Sequence, residues 1–425
     1  MHLAQRAYVL LVLTGVLAVL ALWTPSPAAL GLWRWPLALL LVGFALESRR
    51  VRRAGVRIEV RTAARAFLGR AQPVQFVLVN PSATALTVEF VPLAPAGFDP
   101  ASEVERVRLP AHTEVVRLRV LRAARLGSER WPELPARVRG HLGLAWWTQP
   151  QPAGALVRIA PDAPRARLRT GTGMPSGART RRSAGAGAEL HQLRPYAPGD
   201  PPARIDWKAT ARLGRLVSRE WSEEQHLDVL LALDAGAASR VRAGALDRLG
   251  LYANVAARLA AAASPEDRIG LIAYAARPLT EIRPVRAPLA LTALTRALER
   301  LPLDEGSSEP LAAALRIRTL LTRRSLVVFL TDVEDPALSE ALAAAVRLLT
   351  PRHLVVAAGV DGSELAGCDR QDPWVALALE ARASAAARTR ARLRTQGAPV
   401  LGASRERLAA AVLSQYQALR RAHRV

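Results

Sequence analysis

Asp228-Val-Leu-Leu-Ala-Leu-Asp234 decides the fold of the C-terminal half of this chain. A short run with a continuous apolar middle is typical of a strand buried on both faces of a parallel sheet. Further strands are predicted over 268–274, 279–285 (an edge strand), 325–331, 353–358 and 399–401, and helices over 247–263, 288–301, 309–322, 337–349, 372–394 and 404–422. This alternation predicts that residues 226–425 form an α/β domain with a doubly wound parallel sheet.

Two of these strands end in a carboxylate, at the edge where sheets of this kind bind ligands. Asp234 follows Leu-Ala-Leu, and Asp332 follows Phe-Leu-Thr. Two carboxylates at neighbouring strand ends, with hydroxyl groups beside them, are suited to a hard cation such as Mg²⁺. A metal site at Asp234 and Asp332 is one expectation, and a metal-free structural role is the other.

The N-terminal residues predict a membrane anchor. Two apolar runs, 7–23 and 28–46, are each long enough to reach across the hydrocarbon core, and Thr24-Pro-Ser-Pro27 connects them as a hairpin within residues 1–50. Arginines cluster directly after the second run, so both flanks are expected in the cytoplasm, with everything from about residue 47 onward on that side of a bacterial inner membrane. In an alternative interpretation the first run is a cleaved signal peptide, and the second still halts transfer.

Between the anchor and the α/β domain the composition changes twice. Residues 55–160 contain short β-branched runs, at 56–60, 74–79, 86–90 and 115–120, separated by turn residues, and predict an all-β, sandwich-like segment. Residues 161–188 are rich in proline, glycine and arginine, which indicates a basic linker. The linker is interpreted either as a contact to anionic lipid head groups or as a solvated loop.

The formal net charge of the whole chain is +23, which favours a polyanionic neighbour such as a membrane surface or nucleic acid. Nucleic acid is the weaker candidate because no motif typical of nucleic-acid-binding proteins is present. The single cysteine excludes an intrachain disulfide. Phosphate loops, nucleophile elbows, zinc-protease motifs and dinucleotide fingerprints are also absent from the sequence, so the chain is expected not to be an enzyme.

Residues 189–225 form a dense charged segment that precedes the α/β domain. It contains Tyr196-Ala-Pro-Gly-Asp200 and Arg204-Ile-Asp-Trp-Lys-Ala-Thr-Ala-Arg212, and Lys208 is the only lysine of the chain. Lys208 either makes a contact that a guanidinium cannot make or survives by chance in an arginine-rich composition. A charged network that holds the segment to the α/β domain or binds a partner is predicted for Tyr196, Gly199, Asp200, Arg204, Asp206, Trp207, Lys208, Arg212, Arg219 and Glu220.

The order of elements and the two strand-end aspartates resemble the von Willebrand factor A domain. That family binds its metal through Asp-x-Ser-x-Ser, a distant threonine and a later Thr-Asp. The corresponding stretch here is Asp234-Ala-Gly-Ala-Ala238, so Gly236 and Ala238 replace both serines, and Ser307 or Ser308 stands in for the threonine. The resemblance therefore implies a degenerate A-type domain in which Mg²⁺, if bound, has lost two oxygen ligands.

The 189–225 segment resembles the signature of the bacterial family called domain of unknown function 58. Arg137-Val-Arg-Gly-His-Leu-Gly-Leu144 resembles a stretch that this family places before its signature, whereas Pro201-Pro-Ala203 departs from the charged residues usual there. Membrane helices, a β-rich segment and an A-type domain are the usual plan of this family. The resemblance implies an accessory or scaffolding protein that works with a MoxR-type AAA+ ATPase and other membrane proteins.

The expected function is therefore that of a non-enzymatic, membrane-anchored scaffold whose cytoplasmic A-type domain docks protein partners. One alternative is a divalent-metal-dependent hydrolase that uses Asp234 and Asp332. The other is a binder of anionic lipid or nucleic acid that acts through the basic linker.

Overall fold

The computed structural model describes residues 2–23, 31–100, 103–163, 183–185, 189–223, 226–302, 304, 306–361 and 372–422. Backbone contacts divide the chain into two compact units. The first comprises Met1–Asp162, Gly244–Gly250 and Thr295–Leu301, and the second comprises Ala163–Ala243, Leu251–Leu294 and Pro302–Val425. Most of the predicted basic linker, 164–182 and 186–188, lies outside the described residues, as does the predicted hairpin tip.

The first unit begins with a short strand, β1 (His2–Leu3), and two helices, α1 (Gln5–Trp23) and α2 (Arg34–Ala54). Within the described part of the chain, α1 is the one helix that is long and apolar enough to cross a membrane, with a mean hydropathy of 2.1 in its apolar window. α2 does not qualify, because its apolar part ends at Leu46 and is followed by Glu47 and four arginines. The prediction of two membrane-spanning helices is therefore met, by length and composition, in α1 alone.

Both outer ends of this helix pair are attached to the same part of the β structure. β1 pairs antiparallel with β10 (Ala145–Thr148), so that His2 lies opposite Trp146. Near the other end, the buried Glu47 carboxylate accepts hydrogen bonds from the backbone N–H groups of Gly143 (2.8 Å) and Leu144 (2.9 Å). α1 and α2 also pack against each other.

The β-rich segment of the first unit follows the predicted strand positions closely. Its remaining strands are β2 (Arg57–Arg61), β3 (Arg65–Phe67), β4 (Ala71–Asn80), β5 (Leu86–Phe90), β6 (Glu105–Leu109), β7 (Thr113–Arg122), β8 (Gly127–Arg130), β9 (Ala136–Arg139) and β11 (Leu156–Ala160). They form sheets with the orders β1-β10-β9-β5-β6, β2-β4-β7 and β3-β11-β8. Phe76 of β4 packs against Phe90 of β5 with 5.8 Å between ring centroids, so the first two sheets share an aromatic core.

The second unit begins with a small antiparallel sheet in the order β12-β14-β13, formed by β12 (Ser183–Gly185), β13 (Glu189–Pro195) and β14 (Val217–Glu223). A short helix, α3 (Trp207–Leu213), lies in the connection between β13 and β14. The charged segment from residue 189 to 223 is therefore an antiparallel hairpin whose connection contains one short helix.

A six-stranded sheet is the centre of the second unit. Its strands are β15 (Asp228–Asp234), β18 (Arg268–Tyr274), β19 (Pro278–Arg286), β20 (Leu326–Leu330), β21 (Leu354–Val360) and β22 (Val400–Ala403), and two-residue strands β16 (Arg242–Ala243) and β17 (Leu246–Asp247) follow β15. The order is β19-β18-β15-β20-β21-β22, in which neighbours are parallel except for the antiparallel edge strand β19. The predicted strands, including the edge strand, are confirmed.

Helices alternate with these strands, as predicted: α4 (Arg248–Ala262), α5 (Ala287–Glu299), α6 (Pro310–Leu320), α7 (Pro336–Leu349), α8 (Pro373–Thr395) and α9 (Leu408–Ala422). Every residue from Val229 to Asp234 is buried, so both faces of the central strand β15 are covered. A core that includes Leu230, Phe329 and Leu342 fills the space between sheet and helices. The mixed α/β class is therefore confirmed.

Candidate functional site

The carboxyl ends of β15 and β20 bring the predicted acidic residues to one edge of the sheet. These strands are parallel neighbours, with Leu233 in register with Leu330, so Asp234 and the Thr331-Asp332 pair lie side by side. Asp234 is fully buried, and Asp332 is only 3% exposed. The two predicted aspartates therefore lie at the same edge of the sheet.

Hydroxyl groups surround the Asp234 carboxylate. Thr331 Oγ1 donates to Asp234 Oδ2 over 2.6 Å, and Ser308 Oγ donates to Asp234 Oδ1. The backbone N–H of Gly236 donates to the same Oδ1 over 3.0 Å. Of the two serines considered from the sequence, Ser308 is thus the one that reaches Asp234.

Tyr274, at the end of β18, is in register with Asp234 and is fully buried. Burial, together with the charge of the Asp234 carboxylate, raises the pKa of Tyr274 well above its ordinary value. The phenol is therefore neutral at physiological pH.

Asp332 is neutralised by an arginine. Arg382 of α8 donates Nη2 to Asp332 Oδ2 over 2.9 Å, while the backbone N–H of Glu334 donates to Oδ1 over 3.1 Å. Burial acts to lower the pKa of Arg382, but the hydrogen bond to Asp332 and the nearby carboxylates outweigh it and raise that pKa. The Arg382 guanidinium is thus charged throughout the physiological range.

A second arginine of the same helix repeats this contact. Arg390 Nη2 lies 3.2 Å from Glu334 Oε1, and Glu334 is buried. Residues 382 and 390 are eight positions apart and therefore lie on one stripe of α8. Neither arginine was singled out from the sequence, although this i, i+8 spacing in a helix with a single acidic residue was a usable signal.

The cluster does not fit a magnesium site. A Cβ atom at Gly236 would lie 2.3 Å from Ser308 Oγ, so a serine cannot occupy this position without rearrangement. Ala238 supplies no side-chain oxygen, and a guanidinium already binds the outer oxygen of Asp332. No cluster of three or more His, Cys, Asp or Glu side chains arranged for a metal is found within the described residues.

Two separate ion pairs are found among the described side chains of the 189–223 segment. Arg194 binds Asp200 through both guanidinium nitrogens at 2.8 and 2.7 Å, and Arg219 Nε donates to Asp206 over 2.9 Å. The hydrogen bond from Arg194 lowers the pKa of Asp200, and the hydrogen bond from Arg219 lowers the pKa of Asp206. Arg194, which completes the first pair, was not among the predicted residues.

These pairs fix local backbone geometry. Asp206 is the N-cap of α3 and accepts from the Ala209 N–H over 3.0 Å, as expected for an aspartate at this position. Asp200 accepts from the Ala197 N–H, and Tyr196 donates its hydroxyl to the Asp200 carbonyl. Gly199 has a φ of 105°, which explains why glycine occupies this turn.

The predicted network does not form as one unit. Lys208, Arg204 and Arg212 are exposed, and the structure gives them no ion pair with another described residue. Of Glu220 only the backbone is described, as part of β14. Asp206 forms the cap of α3, and Asp200 stabilises the turn before it. The basic residues of α3 lie on its solvent side and join neither contact.

What α3 presents outward is an aromatic and basic surface. Trp207 is 66% exposed, and Lys208 follows it. Arg212, one helical turn after Lys208, lies on the same side of the helix. Leu213 and Leu216 are also exposed at the end of α3. Below, "the α3 surface" means Trp207, Lys208, Arg212, Leu213 and Leu216.

Residues 192–365 match the model of the family described as "Protein of unknown function DUF58". The match includes the α3 surface and both strand-end aspartates, and it supports the resemblance inferred from the signature. No curated protein matches the chain.

Two solved structures are each similar to about a quarter of the chain. The CARDB domain of a Pyrococcus furiosus protein, crystallised in complex with di-metal ions, is 11% identical with a TM-score of 0.19, over 25% of this chain and 94% of that chain. A solution structure of the same domain is 12% identical with a TM-score of 0.19, over 24% and 93%.

Proposed function

We propose that the chain is a non-enzymatic, membrane-anchored accessory protein whose second unit, a degenerate A-type domain, docks a protein partner. The observation that carries this proposal is the ion pair between Arg382 and Asp332. At the sheet edge where a related fold would place a cation, this chain places its own guanidinium. With this guanidinium bound to the outer oxygen of Asp332, the edge is poorly suited to hold a cation for hydrolysis.

The α3 surface supports docking. Tryptophan and arginine are enriched among residues that contribute most to protein interfaces, and an exposed tryptophan beside cations is unusual for a merely solvated helix. The N-cap Asp206 is held by Arg219 of β14, which fixes the start of α3, so that less conformational entropy is lost on binding. A partner with an acidic surface and an apolar pocket is complementary to this arrangement.

Membrane anchoring is the other half of the proposal. α1 exposes Val9, Val12 and Leu20, and α2 exposes Leu39 and Val42. Large apolar surfaces of this kind mark contact with a membrane or a partner. Since both outer ends of the pair bind the loop and strand around β10, we propose that α1 and α2 enter the inner membrane together and that the rest of the chain is cytoplasmic.

The resemblance to the domain of unknown function 58 family suggests the class of partner, a MoxR-type AAA+ ATPase. The test is co-purification of the full-length protein from membranes solubilised in a mild detergent, with and without a non-hydrolysable ATP analogue. We expect an AAA+ ATPase to be recovered in a nucleotide-dependent manner. Trp207→Ala should reduce its recovery at least tenfold, since truncation of an interface hot spot costs about 2 kcal/mol or more.

Trp374→Ala is the matched control, because Trp374 is a tryptophan that is 78% exposed on a different helix, α8. It should leave recovery unchanged. Lys208→Arg separates the two interpretations of the lone lysine, since it retains the charge but replaces a compact ammonium with a planar fork. Undiminished recovery with Trp207→Ala, or the absence of any AAA+ ATPase, would contradict docking through the α3 surface.

The competing function is metal-dependent hydrolysis at Asp234 and Asp332. It requires divalent ions to bind the full-length protein, and calorimetric titration with Mg²⁺ or Mn²⁺ measures this directly. Binding that Asp234→Asn or Asp332→Asn abolishes would establish the hydrolase alternative in place of ours.

A further inference from the structure

Two cavities of the first unit meet at Arg6. The first, of about 490 Å³, is apolar. Its lining residues come from α1, α2 and the loop before β10: Gln5, Arg6, Val9, Leu10, Leu39, Gly43, Leu142 and Leu144. The second cavity, of about 320 Å³, is polar. It is lined by Arg6, Arg108, Arg139 and His141, together with Ala85, Leu86, Thr87, Gly140 and Gly143. Both volumes fall within the range of about 300–1,000 Å³ that is typical of small-molecule sites.

The polar cavity carries positive charge that the described residues do not balance. Among them, no carboxylate forms an ion pair with Arg6, Arg108 or Arg139. The neighbouring Arg106 and Arg137 differ, because both bind the buried Glu89. Three guanidinium groups around one small cavity create a strong local field for an anion.

Two of these arginines are held in position before any ligand arrives. The Arg139 guanidinium stacks on Trp146, 4.8 Å from the ring centroid. Arg6 Nη1 donates to the Leu142 carbonyl over 3.2 Å. Arginine forks fixed in this manner recognise phosphate oxygens with good geometry.

The polar and the apolar cavity also match the order of a lipid's parts along the membrane normal, a charged head group followed by an acyl chain. Arg6 is in the first turn of α1, and the rest of that helix is uncharged. In an anchored chain, Arg6 therefore marks the head-group plane, while the apolar cavity follows the helices toward the hydrocarbon. This placement rests on the proposed membrane anchoring.

We propose that the two cavities together hold one anionic phospholipid. Its phosphate lies among Arg6, Arg108 and Arg139, and one acyl chain occupies the apolar cavity between α1, α2 and Leu142–Leu144. The ligand is a lipid and not a free phosphate, because the apolar cavity opens beside the basic one and shares Arg6 with it. This site is distinct from the basic linker over 161–188.

The test uses delipidated full-length protein in detergent and native mass spectrometry. Phosphatidylglycerol and phosphatidylcholine with the same acyl chains are titrated separately. We expect one tightly retained phosphatidylglycerol per chain and at least tenfold weaker retention of phosphatidylcholine. Arg108→Gln and Arg139→Gln should each weaken phosphatidylglycerol binding about fivefold, in line with the usual effect of one basic residue near an anionic lipid.

Leu39→Trp probes the acyl chain, because Leu39 lines the apolar cavity and is 64% exposed, so that an added ring fills the cavity with little effect on packing. It should weaken phosphatidylglycerol binding and leave any binding of inorganic phosphate unchanged. Arg139→Lys, which keeps the charge, should retain more binding than Arg139→Gln. A linker variant with Arg165, Arg167 and Arg169 all changed to Gln is the control and should bind as the wild type does.

Three results would overturn the proposal: equal retention of the two lipids, unchanged binding in the Arg108→Gln and Arg139→Gln variants, or loss of binding in the linker variant alone. Inorganic phosphate that binds as tightly as the lipid would show a free-anion site instead. These outcomes are separate from failure of the anchor, since a chain that does not partition into membranes at all refutes the anchoring proposal before any lipid is compared.

Discussion

Gly236 lies two positions after Asp234, and the hydroxyl of Ser308 occupies the space where a side chain at 236 would begin. Ser308 is thereby held against the Asp234 carboxylate. Gly236→Ser would restore one hydroxyl of the metal-binding pattern, but its Cβ would lie 2.3 Å from Ser308 Oγ and 3.1 Å from the Ser308 backbone nitrogen. We expect it to destabilise the second unit by about 1–3 kcal/mol, as overpacking usually does.

The measurement is the midpoint of thermal unfolding of the full-length protein in detergent, with and without Mg²⁺. Ala237→Ser at the exposed neighbouring position is the control and should leave the midpoint unchanged. Adding Ser308→Ala to Gly236→Ser should recover part of the lost thermal stability, because it removes Ser308 Oγ, the atom nearest to the new Cβ. An unchanged midpoint that rises with Mg²⁺ would mean that the edge accepts both a serine and a cation.

At the scale of elements, α8 is tied to the loop after β20 by the contact between Arg382 and Asp332. Asp332 is almost fully buried, so removing either partner leaves a charge or a polar group poorly compensated. We expect Asp332→Asn and Arg382→Gln each to lower stability and the double variant to lose less than their sum. The coupling energy should be about 0.5–3 kcal/mol.

Thermal or denaturant unfolding of the four proteins of this cycle measures the coupling. Arg388→Gln, at an exposed position on the same helix, is the control for loss of a positive charge alone. Additive losses of stability would mean that Arg382 and Asp332 do not stabilise the fold together. They would contradict the view that Arg382 neutralises Asp332 at this edge of the sheet.

β15, β18 and β20 were predictable from sequence because each is a short apolar run that begins at or just after a charged residue. β15 and β18 begin at Asp228 and Arg268 and match the predicted bounds. The contacts of Arg382 and Arg390 were not predictable in the same manner, because their partners lie about 50 positions earlier in the chain. Local periodicity carries no information about such pairs.

In the 189–225 segment, too, the sequence does not predict which side chains form pairs, even though the partners are close together in the chain. Its residues were correctly expected to interact, but the sequence could not divide them into pairs. Arg194 reaches Asp200 only because β13 and the following turn fold back on each other. Asp206 is the N-cap of α3, and Lys208 is the second residue of the helix. This start of the helix turns the Lys208 side chain to solvent. Side-chain direction on a seven-residue helix depends on that cap, not on composition.

At the scale of the whole molecule, the proposed anchoring, with both helix ends attached to the region of β10, implies that α1 and α2 enter the membrane as a hairpin. The prediction is checked by labelling single cysteines with a membrane-impermeant maleimide in sealed vesicles of both orientations. In a Cys368→Ser background, Ser26→Cys should react from the face opposite to the one from which native Cys368 reacts in the wild type. Reaction of both from one face would mean that the helices lie along the membrane or re-enter it.

The pairing of His2 with Trp146 has a further consequence for biogenesis. On a ribosome, the first residues emerge roughly 140 positions before the strand that will receive them. Under the proposed anchoring, α1 can therefore insert into the membrane before the sheet that holds its start is complete. Formation of the β1–β10 pair then fixes the start of the inserted helix.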